Sequence, residues 1–306
     1  MISQGVVMLG VAFITVNIPP YLMAVTDGRE RRYAFAIFQT TIPATAFLGS
    51  LIAGLLPGLF TGWLDLNLEQ SAPYRLALWA GPILLFLSIL PMLNADPARI
   101  ATPGRKQTAS GPAPIKWLLF FGPFVILQAI GEGSVRAFFN VYLDSDLEVP
   151  PVRIGTIMGV AQLLPIAVAM SAPLLIARIG RGRALVAATL GISLCLLPLA
   201  FGPQLSVAAL SFMGAIAMIT VAGTARDLFG QEMVTSGWGT TSQGVAIIGL
   251  ALGWETDSIV GGYLIETIGF GAMFLAGTIS ALISAGLLVG YLCRRQAPAL
   301  REPNLG

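Results

Sequence analysis

Long apolar runs constrain this chain more than any other feature. About nine of them reach the length needed to cross a hydrocarbon core, which takes about 20 helical residues. They are Gly5–Val25, Tyr33–Phe60, Leu76–Leu93, Trp117–Leu143, Ile154–Ile176, Ala184–Phe201, Leu205–Thr224, Thr240–Ile265 and Ala272–Leu292. A soluble fold has no means of hiding so much apolar surface. Charged residues make up only 10% of the chain and hydrophobic ones 56%, against roughly 25% charged in an ordinary soluble domain. Lipid offers no hydrogen bonds to a bare backbone, so the spanning segments must be helices. The first run lacks a basic segment ahead of it, so it reads as a spanning helix rather than a cleaved leader. Prolines inside the runs (Pro19, Pro20, Pro43, Pro123 and Pro165) predict kinks or breaks.

The short polar stretches between the runs carry a charge signal. If every run spans, one side of the membrane receives Arg29 to Arg32, the stretch Asn94–Lys116, Arg178 to Arg183, Arg226 and the tail with Arg294, Arg295 and Arg301. Of the 17 lysines and arginines, only Arg75, Arg136 and Arg153 fall elsewhere. Cytoplasmic loops carry such an excess, so the C-terminus is expected in the cytoplasm and the protein in the plasma (inner) membrane. The stretch 94–116 is polar and rich in Pro, Gly, Ser and Ala, which suits a linker. It divides the chain into 1–93, a partial bundle of three helices, and 117–296, a six-helix bundle, with 297–306 as a tail. Histidine is absent, which removes His-based zinc motifs, Ser-His-Asp triads and histidine relays. The two cysteines, Cys195 and Cys293, form no metal or disulfide pattern. Neither metal nor cofactor is expected. The Gly-rich stretches lie within apolar helices and lack the ending of a phosphate loop.

Six helices after a long cytoplasmic loop resemble the C-terminal half of a major facilitator superfamily transporter, in which two six-helix bundles are joined by such a loop. The stretch Pro173-Leu-Leu-Ile-Ala-Arg178-Ile-Gly180-Arg181-Gly-Arg183 is similar to the family's cytoplasmic motif G-x-x-x-D-R-x-G-R-x-R. Arg178, Gly180, Arg181 and Arg183 match. Pro173 stands for the glycine and Ala177 for the aspartate, which removes an Asp-based charge lock here. Gly244 to Gly262 resembles the family's eleventh helix, and Asn17 to Gly58 its fourth and fifth. The resemblance implies a major-facilitator-like, all-α polytopic bundle that starts at the fourth helix, with the first three absent.

Charges inside the runs are the candidate working residues, because a charge at that depth is costly and needs a cavity or a partner. Gln128, Glu132, Arg136 and Asn140 recur every four residues on one drifting stripe. Either they line a substrate or proton site, or Glu132 and Arg136 brace each other. Glu255 and Asp257 lie in the eighth run. Gly249, Gly253, Asp257 and Gly261 share one face suited to close helix packing, and Glu255 points about 200° away at about 100° per residue. The resemblance places the family's seventh and eleventh helices on one cavity, so Arg136 is expected to meet Glu255 or Asp257. Gln39 and Gln162 are weaker cavity candidates, their alternative being simple interhelical hydrogen bonds. Arg178, Gly180, Arg181 and Arg183 read either as a cytoplasmic gate or as plain topology determinants.

These features predict a secondary transporter that moves a small solute by alternating access, coupled to protons and suited to efflux of drugs or metabolites. The partners are the solute, protons and the bilayer, with no nucleic acid. One alternative is a truncated, non-transporting membrane protein or an incomplete gene model, since rocking needs two bundles. An intramembrane enzyme is a distant third. Glu255 and Asp257 face different ways and nothing else clusters, so the chain is not expected to be an enzyme.

Overall fold

The computed structural model describes residues 28–64, 71–93, 113–202, 204–234 and 238–296. All regular structure among them is helical. In chain order the helices are α1 (Gly28–Leu64), α2 (Ser71–Leu93), α3 (Ile115–Ser145), α4 (Pro151–Ala161), α5 (Leu163–Ile179), α6 (Arg181–Phe201), α7 (Leu205–Glu232), α8 (Gly239–Thr267) and α9 (Phe270–Gln296). Among the described residues, 7 helical stretches are long and apolar enough to cross a membrane, with α4 and α5 counted as one stretch, Pro151–Ile179. Each expected run from Tyr33 to Leu292 is helical, with Ile154–Ile176 divided between α4 and α5. The run Gly5–Val25, the break at Asn17–Pro20 and most of the linker lie outside the described residues.

One compact unit comprises Met1–Lys106 with Glu148–Leu163, and the other Gln107–Leu147 with Leu164–Gly306. In the first, α1 packs against α2 and α4. The contact with α4 is glycine on glycine: a Cβ on Gly155 would sit 2.8 Å from Gly54 Cα and 2.7 Å from Ser50 O. This backbone approach draws α4 into the first unit, although the charge pattern alone groups it with 117–296. The helix breaks at Gln162, three residues before Pro165. Pro165 cannot donate to the carbonyl four residues back, and its ring crowds that turn. Pro43, Pro57 and Pro123 lie inside helices that continue past them.

In the second unit α3 is the hub, packing against α6, α7, α8 and α9. Between membrane helices burial of apolar area drives little, so small residues and interhelical hydrogen bonds decide which faces meet. On α9, Ser280 Oγ donates to Leu127 O at 2.8 Å and Ser284 Oγ to Phe124 O at 3.1 Å. On α8, a Cβ at Gly253 would overlap Ala129 and lie 2.6 Å from Ile126 O. At the basic end, Trp117 stacks on Phe121 with centroids 4.8 Å apart, and Tyr291 stacks on Phe120 at 4.5 Å. Leu194, Leu210 and Ile248 point outward, 69%, 68% and 61% exposed, which suits a lipid-facing surface.

Gly253→Ala is therefore expected to destabilise the protein by about 1–3 kcal/mol, because the added methyl meets backbone that must shift. Gly262→Ala, where a Cβ meets nothing within 4 Å, is expected to be neutral. Thermal unfolding in detergent compares them; equal melting points would contradict the α3–α8 packing.

Candidate functional site: a buried charge network

The polar groups of the second unit gather on and around α3. Gln128 and Glu132 are 0% and 1% exposed. Arg226 on α7 reaches both, its Nη1 donating to Glu132 Oε1 at 3.0 Å and to Gln128 Oε1 at 3.1 Å. The side chains of this ion pair are 7% and 2% exposed. Gln128 Nε2 donates to Thr189 Oγ1 on α6 at 3.2 Å, and Thr189 in turn donates to Leu185 O. Beside Arg226, Asp227 accepts from Gln243 Nε2 of α8 at 3.3 Å. The chain Thr189–Gln128–Arg226–Glu132 thus ties three helices, and Asp227–Gln243 adds a fourth.

Arg226 is a correction to the sequence reading, which placed it in a loop after a run ending at Thr224. The helix continues to Glu232 because Arg226 and Asp227 find partners inside the bundle and need not leave it. The partner expected for Glu132, Arg136, is exposed instead, as is Asn140. A helix advances about 100° per residue, so each step of four turns the stripe by about 40°. Gln128 and Glu132 face the interior, and by Arg136 the stripe has rotated out of it.

Asp257 forms a second buried point on α8. It is 4% exposed, and Ser134 Oγ donates to its Oδ1 at 2.7 Å. Its Oδ2 is buried and has no hydrogen-bond partner among the described residues. The carboxylate rests on α3 at Gly133, where a Cβ would lie 2.9 Å from Oδ2. Glycine there is what lets an acid enter a helix contact. Gly249, Gly253 and Gly261 are buried on the same face, and Glu255 is exposed. Neither Glu255 nor Asp257 pairs with Arg136. Ser134, one position on from the packed Gly133, was missed by the sequence reading. Only the structure brings Gly277 opposite it, where a Cβ would overlap Ser134 Oγ.

The remaining candidates lie apart. Gln162 is half-buried and caps α4, its backbone N–H bonding Gly159 O and Val160 O; it belongs to the first unit. The side chain of Gln39 is outside the described residues. Arg178, Arg181 and Arg183 are exposed at the α5–α6 turn, and Gly180 makes that turn with φ 93°, a value that favours glycine. Among the described residues no group of three His, Cys, Asp or Glu forms a metal cluster.

Membrane-length helices around a shielded charge network describe a polytopic helical membrane protein. The model of the Major Facilitator Superfamily matches residues 1–253, and the chain belongs to that family. A solved structure with a similar fold is the crystal structure of a bacterial homologue of the iron transporter ferroportin in an inward-facing state. It shares 16% sequence identity with this chain, and the TM-score is 0.63. The likeness covers 88% of this chain and 65% of that one, so this chain spans somewhat less than two thirds of its length. No curated protein matches the chain.

Removing one partner of a buried pair strands the other charge, at about 3–5 kcal/mol. Arg226→Ala is expected to lose that much, or to fail to accumulate. Arg136→Ala, at a side chain that makes no ion pair among the described residues, is expected to cost less than Arg226→Ala. Thermal unfolding in detergent ranks them, and the reverse order would contradict the network.

Proposed function

We propose that the protein is a secondary carrier that moves a small solute by alternating access, with proton movement coupled to it. Family membership supports the transport reading, because the family's two bundles rock about a shared site. The observation that carries the coupled reading is the state of the acids. Glu132 is held by Arg226, and Glu255 is exposed. Among the described residues, Asp257 is the acid buried with an oxygen left over. A buried acid without a counter-charge is one whose proton occupancy depends on what reaches it, since its charged form needs a partner or water. In this reading the Glu132–Arg226 pair with Gln128 and Thr189 holds α3, α6 and α7 together. Arg136 and Asn140, on the exposed part of the α3 stripe, are available to a solute.

The mixture of exposed arginine, asparagine and acid with apolar surroundings suits amphiphilic drugs or metabolites, and efflux is the favoured direction. Iron is not carried over from the ferroportin homologue, since 16% identity speaks for the fold only. The excess of basic residues beside the linker and tail supports a cytoplasmic C-terminus and an inner-membrane location. The division at 94–116 into a three-helix part and a six-helix part remains part of this reading.

The test uses the full chain in proteoliposomes with an imposed pH gradient and a panel of labelled solutes. For any solute that moves, Asp257→Asn is expected to abolish pH-driven flux while solute exchange without a gradient persists. Glu255→Gln is expected to keep both. Wild-type pH-driven flux in Asp257→Asn would remove the coupling role, and absence of flux for every solute would count against transport itself.

A further inference from the structure

A cleft of about 690 Å³ opens at the start of α6, between α6 and α9 and against the end of α7. It lies wholly within the second unit, apart from the buried network. Its mouth carries Arg181 and Arg183, and its walls descend through Val186 and Leu190 on α6 and Val289 on α9. Arg183, Val186 and Leu190 are spaced to share one helix face, and from Arg183 to Leu190 the groove drops by about 10 Å. Leu190 and Val289 are each 43% exposed, so the lower cleft opens sideways onto surface that faces hydrocarbon. Charge at the top and apolar wall below follow the order of headgroup and acyl chain across one leaflet.

The charges at the mouth are unbalanced. The cleft holds one acid, Glu232, which pairs with Arg181 at 3.2 Å with side chains 49% and 45% exposed. Ion pairs that exposed are weak and readily exchanged. Arg183 has no ion pair among the described residues. Both arginines sit in the first turn of α6, where cations oppose the helix dipole, and the N-cap, Gly180, supplies no side-chain acceptor. At Gly182, between the two arginines, a Cβ would lie 2.9 Å from Leu292 Cδ2, so this first turn of α6 packs against a side chain of α9. Arg181 and Arg183 both line the opening. A phosphate there would answer the charge of Arg183, which has no ion pair among the described residues, and the helix dipole together.

We infer that this cleft is a binding site for an anionic glycerophospholipid, its phosphate between Arg181 and Arg183 and one acyl chain along Val186, Leu190 and Val289. The inference is independent of solute and of coupling. It assigns the arginines of the α5–α6 turn a ligand rather than a gate.

The test is native mass spectrometry of the full chain with phosphatidylglycerol or phosphatidylcholine added in detergent. At about five-fold per arginine, phosphatidylglycerol is expected to bind roughly 30-fold more tightly than phosphatidylcholine. That preference is expected to vanish in Arg181→Gln/Arg183→Gln, at solvent-exposed positions that do not threaten folding. Leu190→Trp, which fills the lower groove, is expected to weaken the same lipid with both arginines intact. Equal binding of the two lipids, or a preference that survives the double substitution, would overturn the site. So would competition by millimolar inorganic phosphate as effective as by the lipid, because the acyl groove would then contribute nothing.

Discussion

A charge inside a membrane protein must be answered by another group, because hydrocarbon answers nothing. Glu132 and Arg226 answer each other across α3 and α7 at 3.0 Å, with side chains 2% and 7% exposed. Much of the second unit follows from keeping that pair dry. Gln128 takes a second hydrogen bond from Arg226 and hands one on to Thr189 of α6. The glycines on α8 and the serines on α9 bring two further helices against α3 closely enough to exclude lipid and water. Ion pairing of this kind adds little net stability compared with apolar packing, but it makes one register of the helices far better than its neighbours. A slip of α7 by one residue would leave two buried charges bare.

Two kinds of polar site emerge, and they differ in what surrounds them. The Glu132–Arg226 pair has its charges balanced within the protein. Asp257 has one donor, Ser134, and a second oxygen with no partner among the described residues. The arginines at the start of α6 belong to neither. They are exposed at the end of an apolar cleft, where the bilayer itself supplies the complementary charge. Buried pair, buried lone acid and interfacial arginines thus divide the charges of this unit by depth and by partner.

Much of this was legible from residue order. The helices follow from apolar run length, and the packed face of α8 follows from small residues four apart, with Asp257 buried among Gly249, Gly253 and Gly261 while Glu255 points away. The break at Gln162 follows from Pro165. What residue order hid was the partner of Glu132. An arginine four residues along the same helix is the obvious mate, whereas Arg226 is 94 residues distant and sits next to Asp227, so the pair resembles a loop. Charge alone does not separate a loop arginine from one stretched across a helix contact; only the facing helix does. The drift of about 40° per four residues likewise decides where the α3 stripe stops being interior, and that depends on which neighbours cover it.

The central claim is that Glu132 and Arg226 meet inside the bundle. Exchanging the two charges tests it most directly, by accumulation in the membrane and thermal unfolding in detergent. Glu132→Arg and Arg226→Glu are each expected to collapse folding, by placing like charges in contact. The double exchange is expected to recover a substantial part of it, since opposite charges again face each other. Single exchanges that fold normally, or a double exchange no better than either single, would contradict the account.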